Sequence, residues 1–273
     1  MTILLTDWLD LARTLDAESV DLLYADPPFN TGKMQQGVHR DGRDEPRPTG
    51  GGSEAGLSPV AGARLAYTDT FASTADWVAW LRERLEATIP ALKPTASILL
   101  HIDWRTSHHA RLLLDDLLGP DHFVNHLVWA YGLGGSSPRR FARKHDDILF
   151  YAVDPTRYHF EPPMVPATSN RMKGRLKKAT DVLDIPAINN MAAERTGYPT
   201  QKPLALLRLL VGACCPPDGL VLDPCCGSGT TLEAAAASGR RALGCDINPD
   251  AVEIARRRLA DLVDDRSAPR DGR

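Results

Sequence analysis

The chain has 273 residues, of which 43% are hydrophobic and 25% charged, with a formal net charge of −3. This length and balance suit a soluble globular protein of one large domain, or one domain with an insertion, able to bury a full core. No apolar run approaches the roughly 20 residues a membrane helix needs, and residues 1–10 lack a basic-then-apolar leader, so a cytoplasmic protein without a membrane partner is expected.

In chain order, residues 2–5 read as a short strand ending at Asp7, and Trp8 to Leu15 repeats apolar positions at helical spacing. Residues 20–25 are β-prone and continuously apolar apart from Asp21, which suits a buried strand. That strand delivers Asp26-Pro27-Pro28-Phe29-Asn30-Thr31-Gly32-Lys33 at its carboxyl end, where open α/β sheets place ligand sites. The two prolines fix φ and remove backbone donors, so an acid and a ring project from a stiff loop. The bland alternative is a strand-ending turn with Phe29 folded into the core.

Residues 34–63 are rich in Gly, Pro, Arg and Asp and carry few large apolar side chains. They are expected to form a mobile loop, either a lid or a tolerated insertion. A helix is expected over 73–92, then a strand at 96–102, a helix at 107–118, and strands at 123–131 and 147–153. His101, His108 and His109 lack a partner at ligand spacing and are expected in surface or core roles, not on a metal. The five cysteines match neither a disulfide framework nor a zinc spacing and read as buried thiols.

Charge is uneven. Residues 137–179 hold ten Lys and Arg against four acids, a local +6, which suits either an anionic polymer or a solvated surface. The basic residues include Arg139, Arg140, Arg143, Lys144, Arg171, Lys173, Arg175, Lys177 and Lys178. Residues 156–196 have little periodicity and read as an insertion outside the main sheet. Tyr198-Pro199-Thr200-Gln201-Lys202-Pro203 then opens a helix over 204–214, whose N-terminus and Lys202 could face an anion.

A second constellation follows. Strand 220–223 runs into Asp223-Pro224-Cys225-Cys226-Gly227-Ser228-Gly229-Thr230-Thr231 and a helix, then a strand ends at Asp246 and a helix starts near Asn248. Such a β-α-β unit suits an adenosine-containing ligand: the glycines let it approach the backbone, and the second-strand acid can accept from ribose hydroxyls. The turn is not G-x-G-x-x-G, so a ribose is supported and a pyrophosphate is not.

With these motifs in this order, the chain resembles the S-adenosylmethionine-dependent DNA methyltransferases that act on exocyclic amino groups, in the permuted β-group arrangement. The resemblance implies an α/β, doubly wound, mostly parallel seven-stranded sheet, Rossmann-like and circularly permuted, with an inserted target-recognition segment. It divides the chain into a catalytic half at 1–155 with a mobile loop at 34–66, a recognition insertion at 156–196, a cofactor half at 197–263 and a flexible tail at 264–273.

It also implies S-adenosyl-L-methionine as cofactor and methylation of a flipped base, at adenine N6 or, as the alternative, cytosine N4. Asp26, Pro27, Pro28 and Phe29 would be catalytic. Thr200, Lys202, Asp223, Gly227, Ser228, Gly229, Thr230 and Asp246 would bind cofactor, and Asp7 would either approach the adenine or cap a helix. The basic residues named above would grip double-stranded DNA. A cognate restriction endonuclease and a second copy of the chain are further partners in view. RNA or protein-glutamine methylation, and a non-catalytic nucleic-acid-binding module, are the more distant readings.

Overall fold

The computed structural model of the protein describes residues 1–38, 64–132, 136–167, 171, 173–189 and 192–267. Its strands in chain order are β1 Thr2–Leu5, β2 Val20–Ala25, β3 Lys33–Val38, β4 Arg64–Asp69, β5 Leu92–Ile102 and β6 Phe123–Ala130. They continue with β7 His145–Ala152, β8 Met164–Pro166, β9 Leu176–Lys178, β10 Val182–Asp184, β11 Leu220–Asp223 and β12 Arg241–Asp246. The α-helices are α1 Trp8–Ala12, α2 Thr74–Thr88, α3 Ser107–Leu118, α4 Leu204–Cys214, α5 Thr230–Ala237 and α6 Pro249–Ser267.

The main sheet has the order β1-β12-β11-β2-β5-β7-β6-β10. Strands β1, β12, β11, β2 and β5 are mutually parallel, β7 runs against both β5 and β6, and β10 is parallel to β6. The sheet is therefore mostly parallel, as expected, but has eight strands where seven were anticipated. The eighth, β10, comes from the segment predicted to lie outside the sheet. It is only three residues long, too short to show a period, and is held by the buried Leu183 and by Trp129, whose indole donates to the Ile185 carbonyl at 2.8 Å.

Period-two alternation sends side chains to two faces. Leu22, Tyr24 and Leu99 join a core covered by α4, α5 and α6, while Leu23, Ile98 and Leu100 join one covered by α1, α2 and α3. Fully buried Trp77, Leu81 and Leu85 fasten α2, each contributing about 1.5–3 kcal/mol by burial. Asp21, the one acid inside β2, is matched by Lys93 at 2.8 Å and by the Leu220 amide at 2.8 Å, so it ties three adjacent elements.

Two local differences have simple causes. Strand β5 starts at Leu92, earlier than expected, and a register shift beside Val20 and Leu22 accommodates Pro94, which cannot donate to a ladder. The segment anticipated as loop at 34–66 begins and ends in an antiparallel hairpin of β3 and β4. The Gly- and Pro-rich character behind that expectation is concentrated in 39–63, which lie outside the described residues. At the other end, α6 reaches Ser267, so the anticipated tail at 264–273 starts inside a helix, and 268–273 lie outside the described residues. Among the described residues no helix is long and apolar enough to cross a membrane.

Candidate active site

Parallel strands bring their carboxyl ends to one edge of the sheet, and here adjacent ends each carry an acid. Asp7 follows β1, Asp246 ends β12, Asp223 ends β11, and Asp26 follows β2. All four line one cavity of about 490 Å³, together with Pro27, Pro28, Phe29, Trp80, Tyr198, Thr200, Lys202, Gly227, Ser228, Thr230 and Asn248. That volume lies in the range of small-molecule sites. Of the candidate catalytic and cofactor residues, only Gly229 is absent from the lining.

The Asp26 loop is held from outside. The Trp77 indole donates to the Pro28 carbonyl at 2.7 Å. Asn30, at φ +57°, donates its amide to Asp69 at 2.7 Å and accepts from the Phe71 amide at 3.0 Å, while the Thr31 hydroxyl donates to Asp69 at 2.6 Å. Asp69 is itself buried. Phe29 is half-buried, its ring stacked on His101 at 6.1 Å between centroids, so it is partly core and partly cavity wall.

Lys202 pairs with the Asp26 carboxylate, and its ammonium lies 5.4 Å from the Phe29 ring centroid. Lys202 and the α4 N-terminus, both expected to face a ligand anion, each meet a protein carboxylate here: Asp26 for Lys202, and Glu194, which accepts from the Leu204 amide at 3.0 Å. Asp7 also has two protein partners. It caps α1 by accepting from the Leu9 amide at 2.8 Å, and it receives a guanidinium nitrogen of Arg84 at 2.9 Å on each oxygen. The cap alternative is thus realised, and the carboxylate faces the cavity already neutralised.

On the other side, the Asp246 carboxylate accepts from the Gly227 amide at 2.9 Å and the Asn248 amide at 2.8 Å. With a further bond from the Ile247 amide, these shape the turn and leave part of the carboxylate's roughly four acceptor sites for a ligand. Burial raises its carboxyl above the ordinary value. Asp223 is more deeply buried, and burial first, with Asp26 and Asp246 adding to it, pushes its carboxyl up to about 7. The Gly turn needs its glycines for different reasons. A Cβ on Gly227, at φ +49°, would meet the Tyr198 ring at 2.9 Å, whereas one on Gly229, at φ +76°, would meet the Ala255 Cβ at 2.8 Å. Gly229 is thus a packing residue that admits α6. From α6, Arg258 donates to the Thr230 hydroxyl at 2.9 Å, a partner the sequence reading missed.

Also missed was a buried polar chain behind Phe29. The Tyr24 hydroxyl and His101 Nδ1 are 2.8 Å apart, and His101 Nε2 lies 3.3 Å from Asp146. Burial and then the Asp26 charge hold the Tyr24 phenol far above its usual range, so it stays protonated beside the imidazole. The signal was a Tyr and a His next to the apolar residues at the carboxyl ends of two strands. No cysteine is poised as a nucleophile: burial, then Asp246 and Asp223, holds the Cys225 thiol far above its usual range, and Cys214, Cys215, Cys226 and Cys245 are raised by burial too.

The basic candidates lie outside the cavity in two groups. Arg139, Arg140 and Arg143 are exposed in the β6–β7 connection, where Lys144 donates to the Gly132 carbonyl at 3.0 Å. Arg171, Lys173, Arg175 and Lys178 are exposed in or before the β8–β9 hairpin, and Lys177 is half-buried there.

Comparison with known proteins follows the same lines. The Type II methyltransferase M.ScaI of Streptomyces caespitosus is 26% identical over 275 residues, covering 93% of this chain and 79% of that protein. The DNA adenine methyltransferase YhdJ of Escherichia coli strain K12 is 27% identical over 274 residues, covering 94% and 82%. Among solved structures, the cytosine-N4-specific PvuII DNA methyltransferase superposes with a TM-score of 0.64 at 16% identity, covering 94% of this chain and 86% of that one. The M1.HpyAVI–SAM complex gives 0.62 at 18% identity, covering 94% and 98%. These two share the methyltransferase fold. The sequence pattern of the DNA methylase family that comprises N6 and N4 enzymes matches residues 20–257, and the chain belongs to that family.

Proposed function

We propose that this chain transfers a methyl group from S-adenosyl-L-methionine to the exocyclic amino nitrogen of a base flipped out of double-stranded DNA, with adenine N6 as the target. The observation that carries the reading is the adjacency of β2 and β11, which sets the Asp26 loop and the Gly227 turn on opposite sides of one cavity. The residues present fit such a cofactor. Among the described residues, Asp246, and Asp223 once it ionises above about pH 7, are lining acids without an ion-pair partner and suit a cationic group. Asn248 Nδ2 is a buried donor without a hydrogen-bond partner among the described residues, available to a ribose or base acceptor.

When bound, S-adenosyl-L-methionine supplies an electrophilic methyl on a sulfonium. The chain does the rest. The base amino group donates to the Asp26 carboxylate and to the Pro27 carbonyl, since the Pro28 carbonyl is engaged by Trp77. Those two acceptors favour a pyramidal nitrogen, freeing its lone pair from the ring for in-line attack. As the new N–C bond forms, the methyl–sulfur bond breaks, its electron pair leaves on the thioether, and the methylated nitrogen gives up one proton to solvent. The Asp26 carboxylate also offsets the positive charge that develops on nitrogen. Lys202 holds that carboxylate in place, while Asp246 would accept from the ribose hydroxyls and Asp223 and Thr200 would face the methionine portion. Phe29, backed by His101, offers a wall against which an extruded base stacks, returning about 1–3 kcal/mol toward the flipping cost.

Adenine is favoured over cytosine because an acid, not a serine, heads the tetrapeptide, the form more usual among N6-adenine enzymes. Incubating unmodified DNA with labelled S-adenosyl-L-methionine and identifying the product nucleoside by mass spectrometry tests the reading. N6-methyladenine is expected, and N4-methylcytosine would reassign the base. Asp26→Ala should bind cofactor yet leave DNA unmethylated; turnover at the wild-type rate in that variant would sink the mechanism.

A further inference from the structure

The connection from β6 to β7 carries an aromatic residue that the fold does not use. Phe141 is 97% exposed, the most exposed of the large apolar side chains among the described residues. It sits in the run Arg139-Arg140-Phe141-Ala142-Arg143-Lys144, which holds four cations and no acid. Arg143 turns back to lay its guanidinium over the Trp104 ring at 3.2 Å, and Trp104 is itself 39% exposed just beyond β5. The Tyr131 amide donates to the Lys144 carbonyl at 3.0 Å, closing the base of the loop. The segment thus presents a bare ring flanked by positive charge.

Topology places this ring on the catalytic edge. Strand β5 is parallel to β2, with Ala25 opposite Leu100, so both end on the edge that bears Asp26. Strand β7 is antiparallel to β5 and begins there, and β6 is antiparallel to β7 and ends there, with Ala130 opposite His145. Residues 136–144, which lead into β7, therefore lie on that edge, two to three strand spacings or roughly 10–14 Å from β2. Its chemistry fits duplex DNA. Phosphates complement Arg139, Arg140 and Arg143, and a base stack offers the apolar interior that an exposed Phe lacks in water.

We propose that Phe141 enters the base stack at the target pair, filling the space left by the extruded base, while the flanking arginines hold the adjacent phosphates. The inference rests on the reading of the chain as a DNA methyltransferase that flips its target. It gives the loop a role separate from bond formation: Phe141 stabilises the opened duplex and touches neither the cofactor nor the reacting nitrogen.

The test uses the full chain and DNA whose methylated position has first been mapped with the wild-type enzyme. Single-turnover methylation is compared for wild type, Phe141→Ala and Phe141→Trp on a paired duplex and on the same duplex with a mismatch opposite the target base. Phe141→Ala is expected to lose at least tenfold on the paired duplex and to regain most of that loss on the mismatch, where opening is already easy. Phe141→Trp is expected to stay active, with its indole emission changing on duplex binding. Equal rates for Phe141→Ala and wild type on the paired duplex would overturn the inference while leaving the assigned function intact. So would an equal loss on both duplexes, or a wild-type dimer that Phe141→Ala converts to a monomer in light scattering. No methylated base with the wild-type chain on any DNA would instead overturn the function itself.

Discussion

The proposed place of Asp223 beside the cofactor predicts an affinity that depends on pH in a way one substitution should remove. Burial lifts its carboxyl from 3.8 to about 7, a shift of roughly three units, or about 4 kcal/mol. The folded value lies above the unfolded one, so the stability gained by holding the proton is complete below about pH 4. It is lost as pH rises through 7. A ligand ammonium next to Asp223 needs the anion and reverses the preference. If only the anionic form binds, the competent fraction grows from about 0.03 at pH 5.5 to about 0.76 at pH 7.5, and affinity rises by roughly 25-fold.

Isothermal titration with S-adenosyl-L-methionine across that window should show the rise in wild type and a weak, nearly flat profile in Asp223→Asn. Asp246 and Asp26 face the same cavity, and the Asp246 charge helps raise the Asp223 carboxyl, so Asp246→Asn should weaken binding and move the rise to lower pH without flattening it. A flat wild-type profile, or an unchanged slope in Asp223→Asn, would refute the assignment of Asp223 to a cationic group of the cofactor.

Two further outcomes follow from particular geometries. Gly229→Ala combines a left-handed backbone, costing roughly 1–2 kcal/mol, with a clash against the Ala255 Cβ at 2.8 Å, costing about 1–3 kcal/mol. The ligand-free protein should therefore melt several degrees lower, and Ala255→Gly should relieve part of the loss; an unchanged melting temperature would return Gly229 to a purely cofactor-facing role. Replacing Arg171, Lys173, Arg175, Lys177 and Lys178 together by Ser should weaken DNA binding and shallow its salt dependence by about 0.9 per lost phosphate contact. An unchanged slope in filter binding would remove the β8–β9 hairpin from the interface.

The Lys202–Asp26 pair bears on how the two halves of the site communicate. Lys202 arrives from the segment before α4 and Asp26 from β2, 176 residues apart in sequence, and both side chains are largely buried. Removing one partner from such a pair typically costs about 3–5 kcal/mol because it strands the other charge. The lysine therefore holds the proposed catalytic acid in place. The His101 ring behind Phe29 braces the same loop from its other side.

What the sequence determined by itself is what short-range physics controls. The order of strands and helices, the stiff Asp26-Pro27-Pro28-Phe29 turn and the Gly227 turn all follow from periodicity, proline and glycine within a few neighbouring residues, and helices α3 and α4 match their anticipated bounds. Elements of three residues such as β10, or of mixed composition such as β3 and β4, are too short for a period to emerge. Their pairing is set by what lies across the sheet. The tertiary structure alone decided the partners of charged and polar side chains: Lys202 with Asp26, Asp7 with Arg84, Tyr24 with His101, and Gly229 against Ala255. Each joins positions from 26 to 176 residues apart, and such pairings depend on strand order and helix packing rather than on any local preference of the chain.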